Sequence, residues 1–295
     1  MTFNKRSTAE QVTEGLDLKG QVAVITGVNS GLGLETMRVL AARGAHIIGL
    51  ARTLEKATEA CAGIDGETTP LACELSDLAS VRECGLAIKA LGLPIDMLIL
   101  NAGIMAPREL TLANGVEMQF ATNHLGHFLL LQHLLEPVKQ AKGRIVILSS
   151  AAHMTSNRRG IDFENLDASL GYDAWRFYGQ SKLANLMTAK ALVKRLEGTG
   201  VTANALHPGI IRTNLGRDAG GFLIRFISIF AGLVEKTIPQ GSATQCYVAT
   251  HPDLDGVTGE YFSDCKRARY SKHADNEALV ERLWQESEKM VEEYL

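Results

Sequence analysis

Gln21 to Arg52 reads QVAVITGVNSGLGLETMRVLAARGAHIIGLAR, and this stretch decides the fold. QVAVITG is a short apolar run of strand length, residues from Leu32 to Arg43 repeat their apolar positions at helical spacing, and AHIIGLA is a second apolar run. A strand, a helix and a strand in about 30 residues make a βαβ unit, whose two strands lie parallel. Between the first strand and the helix stand Gly27, Val28, Asn29, Ser30, Gly31, Leu32 and Gly33. Glycines there allow a tight turn and let the backbone approach a pyrophosphate at the helix N-terminus.

Working outward, DMLILNAG, GRIVILSS and VTANALHPG are further apolar runs separated by segments of helical period. Met97 to Leu100 and Ile145 to Leu148 are apolar at every position, as in strands covered on both faces. The expected architecture is therefore α/β: a doubly wound parallel sheet in three α/β/α layers. No repeat, low-complexity tract or linker divides the chain, so residues 20–295 form a single domain behind a peripheral extension, 1–19. Thr8 with Gln11 three residues later resembles a capping box, predicting a short helix in that extension. The apolar positions from Leu279 to Leu295 recur at helical spacing and predict a C-terminal docking helix.

The 295 residues, 46% of them hydrophobic, can bury a large core, and a formal charge of -3 leaves no field to attract nucleic acid. The five cysteines are scattered without a CxxC pair, which fits a reducing compartment, and the N-terminus lacks an export signal. A cytoplasmic location is expected. The most apolar stretch, FLIRFISIFAGLV at 222–234, is too short to span a bilayer and contains Arg225. We read 214–240 as a lid over an apolar substrate; a helix lying on a membrane surface is the second reading.

At the end of the second strand, where an acid would select the ribose 2′-OH of NAD, stand Ala51, Arg52 and Thr53. An arginine pairs with a 2′-phosphate and so favours NADP(H). Tyr178 and Lys182, in YGQSK, fall at i and i+4 on one helix face. Lowering a free tyrosine pKa by about 3 units requires about 4 kcal/mol. A cation about 4 Å away at an effective dielectric near 20 supplies a term of that size. Ser149 and Ser150 end an apolar strand, Asn101, Ala102 and Gly103 end another, Pro208 and Gly209 end a third, and Asn123 lies in a helix after Phe120. Ligands collect at such a carboxyl rim.

TGVNSGLG, LNAG, TNHLGHF, ILSS, YGQSK and HPGIIRT together resemble the classical short-chain dehydrogenase/reductase family over nearly the whole chain. NAGIMAP, QFATNHLGHFLLL, SKLANLM, ALHPG and GEYFSDCK are similar more narrowly to its retinol-dehydrogenase-like branch, which also resembles protochlorophyllide reductases. The resemblance implies a Rossmann-type fold with Tyr178 as general acid or base. It implies that Ser150, rather than Ser149, orients the substrate carbonyl, that Lys182 binds the nicotinamide ribose and lowers the tyrosine pKa, and that Asn123 holds a relay water. By the same resemblance Asn101 to Gly103 line the cofactor cleft, and Ile210 and Thr213 approach the carboxamide.

Glu74, followed by Leu75, stands where the family often has an aspartate for adenine, and Leu100 replaces the first residue of Asn-Asn-Ala-Gly. The 28-residue step from Ser150 to Tyr178 is longer than in typical members, and the insert GIDFENLDASLGYDAW is expected to shape the substrate entrance.

His124 and His127 have no cysteine or carboxylate beside them, so no metal is expected. His153 and His207 are read as structural, and Arg158 with Arg159, like Lys266 with Arg267, as solvated charges. The leading expectation is an NADP(H)-dependent alcohol dehydrogenase or carbonyl reductase for an apolar small molecule. A reductase of carbon-carbon double bonds is the runner-up, and a non-catalytic nucleotide-binding scaffold the third reading. The resemblance also suggests a dimer or tetramer built on helix faces.

Overall fold

The computed structural model describes residues 3–211 and 236–295. Its main sheet is built from β1 (Val22–Thr26), β2 (His46–Ala51), β3 (Thr68–Ala72), β4 (Met97–Leu100), β7 (Arg144–Leu148), β8 (Thr202–Leu206), β9 (Tyr261–Ser263) and β10 (Lys266–Arg267). A small hairpin, β5 (Leu112–Ala113) and β6 (Val116–Glu117), stands apart. The order across the sheet is β3-β2-β1-β4-β7-β8-β9-β10, parallel except for the last, antiparallel pair. The chain winds outward from β1 to β3, then returns to place β4 on the other side of β1. That reversal opens a crevice at the carboxyl ends of β1 and β4, where such sheets bind ligands.

Alternation along the strands divides the core into two layers. Val22, Val24, Ile48, Leu50, Leu98 and Ile145 face one side and pack with α4 (Leu78–Ala90), α6 (Gly126–Ala141), α7 (Ala174–Arg195) and the C-terminal helix α9 (Glu277–Val291). Ala23, Ile25, Ile47, Met97, Ile99 and Val146 face the other and pack with α2 (Gly31–Ala42) and α8 (Ile238–Thr250). Both faces being covered is why these strands are apolar at every position. A further helix, α3 (Leu54–Ala62), links β2 to β3.

The extension forms α1 (Ala9–Val12), capped reciprocally by Thr8 and Gln11, and delivers buried Ala9, Val12 and Leu18 to the second layer. The helix expected around Asn123 is irregular: a turn of α-helix, α5 (Met118–Phe120), runs into a π-turn at Ala121–Leu125 before α6 begins. Such a bulge rotates the side chains that follow it. Residues 214–235 of the expected lid, together with Thr213, lie outside the described residues; Ile211 and Lys236 on either side form a parallel β-bridge.

Candidate active site

The crevice is tied together by Thr26 at the end of β1. Its hydroxyl accepts from the backbone N–H groups of Asn101 and Ala102, both at 2.9 Å, and the Asn101 amide donates to the Thr26 carbonyl at 2.8 Å. The same hydroxyl lies 2.9 Å from His127 Nε2, while His127 Nδ1 lies 2.9 Å from the Asn123 carbonyl. A carbonyl can only accept, so Nδ1 carries the proton and Nε2 accepts from Thr26. Burial pushes the His127 pKa down to about 4, which keeps this tautomer neutral. His124, also held neutral by burial, hydrogen-bonds Ser287 at 2.7 Å. Both histidines thus have structural partners.

The glycine turn has the shape the sequence suggests. Gly27 and Gly31 adopt positive φ angles, 75° and 59°. A β-carbon on Gly33 would lie 2.2 Å from the Gly27 carbonyl oxygen, so only glycine lets α2 approach β1 this closely. Ser30 occupies the N-cap of α2 without bonding the helix through its side chain, whereas Thr53, Asp77 and Asp173 cap α3, α4 and α7. The first N–H groups of a 12-residue helix thus stay uncapped beside the crevice. That cradle fits the pyrophosphate of a dinucleotide.

At the far end of this cradle Arg52 and Glu74 meet in an ion pair of 2.8 Å. The parallel register that sets Ala51 beside Ala72 brings them together. Glu74 also accepts from the Ser76 backbone and hydroxyl. Leu75 beside it is buried, and its carbonyl would meet any β-carbon at Gly126. Beyond β8, Pro208, Gly209 and Ile210 form the opposite rim; Gly209 has a φ of 94°, and the Ile210 carbonyl accepts from the Lys236 backbone N–H.

The proton-handling residues converge at the end of β7. Ser149 is buried, its hydroxyl spent on the Lys182 carbonyl at 2.7 Å. Ser150 is the more open of the two, its hydroxyl accepting from the Ala152 N–H at 3.2 Å and lying close enough to the Tyr178 phenol to favour its ionised form. Lys182 Nζ donates to the Leu148 carbonyl at 3.1 Å and stands 5.9 Å from the centre of the Tyr178 ring. Asn185 donates to the same carbonyl at 3.0 Å. Asn123 is a clamp. Its oxygen accepts from the Ile104 N–H at 2.8 Å, and its amide donates to the Ile104 carbonyl at 3.0 Å and to Ser181 at 2.9 Å. The side chain therefore fixes the strand-end loop to α7, and its oxygen keeps one acceptor position beyond the Ile104 bond. A β-carbon at Gly103 would intrude on both Asn123 and Lys182, 2.9 Å from Oδ1 and 3.2 Å from Nζ.

Electrostatics depart from the sequence expectation in one respect. Burial pushes the Tyr178 phenol above its ordinary pKa and the neighbouring Ser150 hydroxyl opposes this. Lys182 donates its ammonium to the Leu148 carbonyl and is itself pushed down to about 8 by burial.

A polar cluster behind Tyr178 has no signal in the sequence. His153 Nδ1 donates to the Ser150 carbonyl at 2.6 Å and its Nε2 accepts from the Ser271 N–H at 3.1 Å. The Tyr261 hydroxyl lies 3.4 Å from His153 Nδ1 and 2.9 Å from His207 Nδ1, and His207 Nε2 lies 3.1 Å from Ser263. Burial keeps both histidines neutral. The cluster fixes the backbone of Ser150 to the C-terminal third of the chain.

The chain is similar to known proteins over nearly its whole length. A family model described as short chain dehydrogenase matches residues 21–162. Short-chain dehydrogenase TIC 32 B, chloroplastic, of Brassica napus is 44% identical over 306 residues, spanning 98% of this chain and 94% of that protein. Retinol dehydrogenase 13 of Homo sapiens is 39% identical over 285 residues, spanning 93% of this chain and 85% of that one. A crystal structure of an uncharacterized protein from Mycobacterium paratuberculosis matches with a TM-score of 0.77 at 32% identity, covering 95% of this chain and 97% of that chain. The glycine cradle, the strand-end serine and the tyrosine–lysine helix thus sit in a chain that belongs to the short-chain dehydrogenase/reductase family, oxidoreductases that bind NAD(P)(H), within its retinol-dehydrogenase-like branch.

Proposed function

We propose that the protein is an NADP(H)-dependent alcohol dehydrogenase or carbonyl reductase with Tyr178 as its general acid and base. The observation that carries this reading is the placement of the Ser150 hydroxyl beside the Tyr178 phenol at the carboxyl edge of the sheet, backed by buried Lys182. When bound, the nicotinamide supplies the hydride in reduction and accepts it in oxidation. Ser150 holds the carbonyl oxygen with a hydrogen bond, and Tyr178 gives that oxygen its proton as negative charge develops there. In the reverse direction the phenolate takes the alcohol proton. Lys182, anchored on Leu148, keeps a positive charge behind the phenol, and Asn123 fixes the loop and helix that carry the site. The five cysteines are free and buried, which supports a reducing, cytoplasmic setting.

The test is a panel of aliphatic, aromatic, retinoid and steroid carbonyls with NADPH, with products identified. An alcohol formed in step with NADPH loss is expected. A saturated ketone from an unsaturated one would replace the reading with double-bond reduction, and nucleotide binding with no turnover on any carbonyl would replace it with a scaffold.

Cofactor choice rests on Arg52. It is 63% exposed and its pair with Glu74 lies at the surface, where ion pairs contribute about 0 to 1 kcal/mol. A 2′-phosphate, offering more charge and several acceptor oxygens, displaces such a partner. Arg52→Ala is expected to raise the Kd for NADPH about tenfold or more and to change that for NADH less than about threefold. Titration of both nucleotides reads this, and equal losses would refute the phosphate role.

A further inference from the structure

The long step between Ser150 and Tyr178 builds a feature that the carbonyl chemistry does not use. A cavity of about 600 Å³ opens beside the start of α7, lined by Thr155, Ser156, Asn157, Arg158, Arg159, Asp173, Trp175 and Arg176. Three arginines face it against one carboxylate, in a chain whose net charge is -3. Among the described residues none of the three has an ion-pair partner. The acids near the cavity have other partners: Asp173 caps α7 by accepting from the Arg176 N–H at 2.8 Å, Asp162 accepts from the Asn157 amide at 2.8 Å, and Glu164 pairs with Arg282.

The wall is fixed, not a loose loop. Arg158 and Arg159 are the two central residues of a turn closed by the Asn157–Gly160 bridge. Gly160, with a φ of 84°, packs so closely that a β-carbon there would strike Leu279 and His273. On the other side Gly179 holds the segment against α7, since a β-carbon there would lie 2.6 Å from the Ala152 carbonyl. Trp175 joins the cavity to the reacting centre: its ring meets that of Tyr178 edge to face at 6.2 Å.

We propose that this cavity is the substrate's anion subsite, so that the preferred substrate is a carbonyl compound with a carboxylate or phosphate at the end remote from the reacting carbon. The inference rests on the carbonyl-reductase reading for the reacting end only. Guanidinium groups match planar or tetrahedral oxyanions through paired hydrogen bonds. An apolar spacer crosses the Trp175 ring, so the expected apolar body and the charged end coexist in one molecule.

Decanal and 10-oxodecanoate differ only in the terminal carboxylate and serve as the kinetic probes with NADPH. The wild type is expected to favour 10-oxodecanoate in kcat/KM by about tenfold. The preference should fall to within twofold in the variant combining Arg158→Gln, Arg159→Gln and Arg176→Gln, and in the wild type at 0.5 M sodium chloride, an arm that involves no change of fold. A wild-type ratio near one, or a preference that survives both treatments, overturns the proposal. Calorimetric titration with decanoate, decyl phosphate and decanol reads the subsite without turnover. Tighter binding of either anion than of decanol, lost in the triple variant, is expected, and the tighter of the two identifies the anionic group. Equal binding of all three overturns the subsite. If neither aldehyde is reduced while the anions still bind, the chemistry proposed for Tyr178 fails and the subsite stands.

Discussion

Tyr178→Phe is expected to lower kcat by about a thousandfold or more while leaving the Kd for NADPH within about threefold, because positioned acid–base catalysis contributes about 10²- to 10⁴-fold. The substitution removes one oxygen and keeps the ring that meets Trp175 and stands before Lys182. The glycine cradle is formed by β1 and α2, on elements the substitution does not touch. Stopped-flow or steady-state rates together with a nucleotide titration separate the two quantities. Activity within tenfold of wild type would show that the proton comes from elsewhere, and a matching loss of nucleotide binding would show a structural role. The pH profile adds a direction. Burial raises the phenol pKa, so the protonated acid needed for reduction persists through neutral pH, and oxidation, which needs the phenolate, is favoured as pH rises.

Much of this site is legible in the sequence because it depends on local geometry. Gly27, Gly31 and Gly33 follow one strand directly, and the spacing of Tyr178 and Lys182 places them on one face wherever α7 sits. The alternation of Val22 and Val24 against Ala23 and Ile25 only shows its two-layer meaning once both faces are covered, yet the run itself already indicates a buried strand. What the sequence withholds depends on register and tertiary contact. Arg52 and Glu74 are far apart along the chain and meet only because β2 and β3 align Ala51 with Ala72. The apolar period through QFATNHLGHFLLL runs on without a break, so nothing marks the π-turn that aims Asn123 at Ile104 and Ser181. Tyr261, His207 and His153 come from three distant segments, and no spacing rule joins them. Arg158 and Arg159 read as solvated charges and are indeed exposed, but only the fold shows that Arg176 and Trp175 line the same cavity.

Lys182→Met should separate function from stability: turnover is lost and the folded state gains. The lysine is 3% exposed, and burial pushes its pKa from the ordinary 10.5 down to about 8. A shift of that size corresponds to about 3 kcal/mol of preference for the neutral form in the folded chain. Because the folded pKa lies below the unfolded one, the penalty is fully present below about pH 8 and is relieved as pH rises from there toward 10.5. Methionine has nearly the same length and fills the space without a charge. The Leu148 carbonyl that loses the ammonium keeps the Asn185 amide as its donor. The variant, melted without added nucleotide at pH 7, is expected to unfold about 3 to 8 °C above wild type. The gap should shrink steadily in melts taken between pH 8 and 10. A variant less stable than wild type at pH 7, or a gap that widens with pH, would mean that the buried ammonium is held by compensating charge and not at the expense of the fold.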